Sequence, residues 1–81
     1  MTPAQCRAAR ALLDITQSNL ADAAGLGLST VVDFEKDRRQ VSDEAVRAIQ
    51  AALERAGIAF SNKGGFGEGV FLRKPRHPGR R

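Results

Sequence analysis

The sequence holds one cysteine, Cys6, one histidine, His77, and no tryptophan or tyrosine. A single thiol excludes an intramolecular disulfide, so the chain does not read as a stapled secreted scaffold. One Cys and one His cannot furnish a tetrahedral zinc site, and no metal or other cofactor is expected. His77 stands beside Pro78 in a basic tail, which leaves Cys6 without a base and makes it a small buried hydrophobe rather than a nucleophile. No apolar run approaches the roughly 18 residues that span a bilayer, and the N-terminus carries no signal-like hydrophobic stretch. A soluble, cytoplasmic protein with no membrane partner is the expectation.

An enzyme is not expected either. Asp22, Asp33, Glu35 and Asp43 are scattered with no histidine to pair with, and 81 residues leave little room for a substrate cleft. The glycines at 64, 65, 67 and 69 do not follow a strand and open a helix, the context that a phosphate-binding loop requires.

A chain of this length supports one core, and with much of its apolar content in alanine that core is small, a shortfall that dimerisation can make up. Its net charge of +4 is unevenly placed. Residues 1–60 carry seven Arg or Lys against eight Asp or Glu, whereas residues 61–81 carry six against one. The basicity therefore belongs to the tail, which attracts any polyanion without regard to sequence.

Helix signals begin at once. Thr2, Pro3 and Gln5 form a capping-box start to a helix over residues 3–13. Asp14 and Ile15 make a short connection, and Thr16 caps a second helix that Gly25 stops in the left-handed conformation. A third follows over about residues 28–36, then a polar stretch from Asp37 to Gln40. Ser42 caps a fourth, in which Val46, Ile49, Leu53 and Ala56 recur at helical spacing before Gly57. Beyond it, Ile58 to Phe60 and Val70 to Leu72 are short apolar runs joined by a glycine-rich connection, the pattern of a β-hairpin. Lys74 to Arg81 suits a solvated basic tail.

Two short helices around a glycine turn, flanked by further helices, can hold one helix out from a compact body into a DNA major groove. Between residues 17 and 39 stand Gln17, Leu20-Ala21, Ala24-Gly25-Leu26, Ser29-Thr30-Val31, Phe34-Glu35 and Arg38-Arg39. Through these residues the sequence resembles the XRE, or Cro/repressor-like, helix-turn-helix family. The resemblance implies a mainly α, lambda-repressor-like bundle over residues 1–57, followed by the hairpin over 58–73 and the tail over 74–81. It places Leu20, Ala21, Leu26, Val31 and Phe34 in the core and gives Gly25 the turn. It also implies a transcriptional regulator of bacterial type acting on double-stranded DNA, with Gln17 anchoring a phosphate at the start of the second helix.

By position, the groove-facing side chains are Leu28, Ser29, Thr30 and Asp33, flanked by Val32 and Lys36. Phosphate contacts fall to Gln17, Ser18, Lys36, Arg38 and Arg39. The third helix also departs from the family, which usually has Ser or Thr at Gly27, Arg, Gln or Lys at Leu28, and Gly at Asp37. No groove-facing residue here can make a bidentate contact to guanine or adenine, so base reading falls to hydroxyls, to Leu28 on a thymine methyl, and to Asp33 accepting from a cytosine amine.

Bland alternatives stand beside these roles. Gln17 either meets phosphate or is a solvated helix start. Leu28 is core, base contact or protein contact. Arg38 and Arg39 are phosphate ligands or idle surface, and Arg73, Lys74, Arg76, Arg80 and Arg81 are a solubilising tail or a groove-reading arm. Phe60, Val70, Phe71 and Leu72 are candidate homodimer residues through an exposed strand edge. The weak base-reading set and near-neutral body also admit a second function, a protein-interaction module of antiactivator or antitoxin type that keeps the fold and binds a protein partner.

Overall fold

The computed structural model describes residues 1–62 and 67–73. The expected basic tail from Lys74 to Arg81, with His77, lies outside the described residues, as do residues 63–66 of the hairpin connection. The elements run α1 (Pro3–Leu13), α2 (Gln17–Ala24), α3 (Leu28–Lys36), α4 (Asp43–Arg55), β1 (Ile58–Ser61) and β2 (Gly69–Leu72).

Short polar side chains start three of the four helices. Thr2 Oγ1 accepts from the Gln5 amide at 3.1 Å while Gln5 Oε1 accepts from the Thr2 amide at 2.9 Å, a reciprocal box that satisfies two otherwise orphaned donors. Thr16 and Asn19 repeat the arrangement at α2, with distances of 2.9 and 3.2 Å. Ser42 Oγ accepts from the Ala45 amide at 3.1 Å, and Asp43 and Glu44 add negative charge at the positive end of α4. Gly27 begins α3 without a side-chain cap.

The first three helices end alike. The residue after each enters the left-handed region, at Asp14 (φ 57°), Gly25 (φ 70°) and Asp37 (φ 55°). The next amide then reaches back five residues: Ile15 to the Arg10 carbonyl, Leu26 to Ala21 and Arg38 to Asp33, at 2.9–3.1 Å. These are Schellman turns. Glycine marks only the middle one in the sequence, since aspartate is among the few residues with a side chain that tolerate this conformation.

Cys6 and Ala9 of α1, Leu20 and Ala21 of α2, Val31 and Phe34 of α3, and Ile49, Ala52 and Leu53 of α4 form the core, joined by Val41 and Ile58. Val46 is half-buried against it. Ala56 is exposed, because α4 has already ended at Arg55 and the apolar stripe ends with it.

The hairpin pairs Ile58 with Leu72, Ala59 with Phe71, Phe60 with Val70 and Ser61 with Gly69. It docks through a polar side chain of α1. Gln5, only 3 % exposed, directs its Nε2 to the carbonyls of Ser61 (3.2 Å) and Gly69 (3.0 Å) and to Asn62 Oδ1 (3.3 Å). One buried amide therefore closes the α1 cap with its oxygen and holds the hairpin with its nitrogen.

Two outcomes follow. Gln5→Ala removes both functions and is expected to destabilise the fold by on the order of 2 kcal/mol. Amide exchange should then quicken at Ser61 and Gly69 more than in α4; uniform quickening throughout would contradict the docking role. Asp14→Gly relieves a left-handed aspartate and should raise stability by about 0.5–1 kcal/mol, a Tm gain of about 4 °C on thermal melting. A lower Tm would contradict it.

Candidate nucleic-acid interface

The candidate interface comprises α2, α3 and the turn between them. α3 turns Val31, Phe34 and Glu35 inward, residues three and four apart that share one side of a helix. Its opposite side carries Ser29, Asp33 and Lys36 at the same spacing. Ser29 and Lys36 are exposed and Asp33 is half-buried. Leu28 is 48 % exposed at the helix start, so it is not core, while Thr30 and Val32 are half-buried.

Glu35 is the inward residue that does not fit an apolar core, being only 1 % exposed. Its carboxylate is fully occupied. Arg10 grips it in bidentate fashion, Nε to Oε2 at 2.6 Å and Nη2 to Oε1 at 2.8 Å. Gln17 Nε2 donates to Oε1 at 2.9 Å and Cys6 Sγ to Oε2 at 3.2 Å. Arg7 completes the cluster by donating from Nη1 to the Glu35 backbone carbonyl. The group thereby joins α1, α2 and α3. Burial works to raise the Glu35 carboxyl, but the hydrogen bonds from Arg10, Gln17 and Cys6 together with the Arg10 charge outweigh it and hold the carboxyl below its usual range. Burial pushes the Cys6 thiol up, and the bond to Glu35 and its negative charge push it further, so Cys6 is an inert thiol. The Glu35 bond raises Arg10 above its ordinary value against the opposing effect of burial.

On the outer side, Asp33 Oδ2 accepts from Arg39 Nε at 2.8 Å, and Oδ1 lies 3.9 Å from Arg38 Nη1. At the start of α2, Ser18 is exposed, and the amides of Gln17 and Ser18 precede the first residue that can bond within the helix. A helix end of this kind suits an anionic backbone, and Lys36, Arg38 and Arg39 at the far end of α3 are exposed cations.

The sequence profile of the helix-turn-helix family matches residues 7–56, more than half of the chain. The chain belongs to the XRE, or Cro/repressor-like, helix-turn-helix family. A search of curated proteins gives no match. The family is one of DNA-binding regulators, and the mainly α fold with its C-terminal hairpin has the form expected from the sequence. No helix among the described residues is long and apolar enough to cross a membrane.

Within this helix-turn-helix domain, the residues singled out in the sequence fall into four groups. Leu28, Ser29, Thr30, Asp33 and Lys36 lie on α3, with Leu28, Ser29 and Lys36 exposed. Arg38 and Arg39 are also exposed, but both face Asp33. Gln17 donates from its side-chain Nε2 to Glu35, and the backbone amides and exposed Ser18 stand beside it at the helix start. The hairpin residues stand apart from α3 in sequence: Phe60 and Val70 are half-buried, Phe71 is 60 % and Leu72 45 % exposed. An open depression of about 600 Å³ lies beside Thr2, Arg7, Lys36 and Glu68, larger than the chain length led us to expect. Its lining includes Glu35, whose carboxylate is already bonded to Arg10, Gln17 and Cys6.

The Glu35 cluster escaped the sequence reading, although a signal existed. A glutamate in helical phase with Val31 and Phe34 must point inward and requires a cation, and Arg7 and Arg10 are the arginines on the helix that also carries buried Cys6 and Ala9.

Because the folded carboxyl is held low, Glu35 contributes its full stabilisation above the ordinary glutamate value of about 4.3 and loses it as pH falls through the lower folded value. Glu35→Gln should therefore cost on the order of 3 kcal/mol at neutral pH, with the gap to wild type narrowing once pH drops below about 4. Denaturant melts of both proteins across the acid range check this. A gap that stays constant throughout would contradict it.

Proposed function

We propose that this domain is a sequence-specific transcriptional regulator that binds operator-like double-stranded DNA as a homodimer in the bacterial cytoplasm. The observation that carries the reading is the two-sidedness of α3: Val31, Phe34 and Glu35 anchor it while Leu28, Ser29 and Lys36 face outward. In this reading α3 lies in the major groove with Leu28, Ser29, Thr30 and Asp33 toward the bases. The α2 start with Ser18, together with Lys36, Arg38 and Arg39, meets the backbone.

The hairpin supplies the second half of the proposal. Arg73 donates to the Gly57 carbonyl at 2.9 Å, making 57 and 73 a bonded pair. The antiparallel alternation then turns the backbone groups of Val70 and Leu72 away from β1. That edge, with exposed Phe71 and Leu72 beside it, fits a second copy of the chain and would place two α3 helices on half-sites about 34 Å apart. A monomer by sedimentation at micromolar concentration would contradict the dimer.

A second reading is favoured by one observation, the exposure of Leu28 where a DNA reader would present a polar side chain. It is a protein-interaction module of antiactivator or antitoxin type. Titration against duplexes separates the two. The DNA reading expects a selected site to be bound about a thousandfold more tightly than random duplex at physiological salt. It expects Ser29→Ala to alter preference at one base position and Lys36→Ala to weaken all sequences alike. Equal effects of both on every sequence would contradict α3 as the reader.

A further inference from the structure

Asp33 places a carboxylate on the side of α3 that would face a polyanion, four residues after Ser29 and three before Lys36. The structure shows how that charge is answered. The left-handed turn at Asp37 folds the chain back, bonding the Arg38 amide to the Asp33 carbonyl at 3.0 Å. The two following side chains then return to the Asp33 carboxylate, Arg39 at 2.8 Å and Arg38 at 3.9 Å. In the unbound protein both cations after α3 are thus engaged with an acid of α3 itself. The arginine side chains are 58 % and 51 % exposed, so these ion pairs are weak enough for phosphate to displace.

We infer that Asp33 gates phosphate binding by Arg38 and Arg39, releasing them to the DNA backbone only where the base sequence offers its carboxylate a new donor. The inference rests on the DNA-binding reading above and deepens it. On an arbitrary sequence, swinging Arg39 to a phosphate leaves Asp33 unpaired and close to like charge, so much of the gain is cancelled. On a site that presents a cytosine, the exocyclic amine in the major groove donates to Asp33 and the exchange is complete. The ion pair turns a sequence-blind contact into a sequence-dependent one.

The test measures binding of wild type, Asp33→Asn, Arg38→Ala/Arg39→Ala and the triple variant to a random-sequence duplex and to a duplex selected by wild type, at several salt concentrations. Asp33→Asn should bind the random duplex about fivefold to tenfold more tightly near physiological salt, with the slope of log affinity against log salt steeper by about one phosphate. Sequences it selects should lose a preferred cytosine. In the Arg38→Ala/Arg39→Ala background the same change should gain no more than about twofold, because the cations it would free are gone. Asp33→Ser serves beside it as a second neutral variant, with circular dichroism melts confirming that each is folded. An equal gain in both backgrounds, or neutral variants that bind random duplex no better than wild type, would overturn the gate while leaving DNA binding intact. Wild type that binds no duplex even at low salt would overturn both.

Discussion

A buried carboxylate holds this domain together. Glu35 belongs to α3, yet its oxygens are bonded by Arg10 and Cys6 of α1 and by Gln17 of α2, and its carbonyl by Arg7. An ionised group this far from water is costly unless every lone pair is used, and among the described residues no buried side-chain nitrogen or oxygen lacks a partner. The consequence is directional. Apolar contacts from Val31 and Phe34 would accept small rotations of a nine-residue helix, whereas a bidentate arginine and two further donors accept one. Fixing the inner side of α3 fixes what its outer side presents.

The helix ends carry the same constraint outward. Schellman turns at Asp14, Gly25 and Asp37 let three short helices reverse within a few residues, keeping α1, α2 and α3 close enough to share Glu35. The turn at Asp37 also brings Arg38 and Arg39 back over Asp33. Two acids two residues apart on one helix thus play opposite parts: Glu35 faces inward and holds the fold, and Asp33 faces outward and engages the cations nearest the candidate groove surface. Gln5 does for the hairpin what Glu35 does for the helices, converting one buried polar side chain into a fixed orientation.

Much of the fold was legible because its signals are local. Thr2 with Gln5, Thr16, Gly25 and Ser42 mark helix ends within a few residues of where they act, and the stripe of Val46, Ile49 and Leu53 needs only helical periodicity. What stayed hidden depends on contacts across long stretches of chain or on unmarked backbone geometry. Glu35 meets Arg10 across 25 residues, and Gln5 meets Gly69 across 64. Aspartates at 14 and 37 adopt a conformation that the sequence flags only when glycine is present. The candidate site was legible as a set of positions but not as a set of partnerships. Gln17 and Asp33, read as free to meet DNA, are hydrogen-bonded within the protein, to Glu35 and to Arg39.

Glu35 remains ionised inside the fold because its neighbours satisfy it. Following its side-chain carboxyl carbon by NMR through an acid titration tests that at the atom concerned. The expected resonance keeps its titration midpoint below about 4.3, the value for a free glutamate, while the folded spectrum persists. A midpoint at or above that value with the fold intact would show a carboxylate that its neighbours do not hold, and the account would fail.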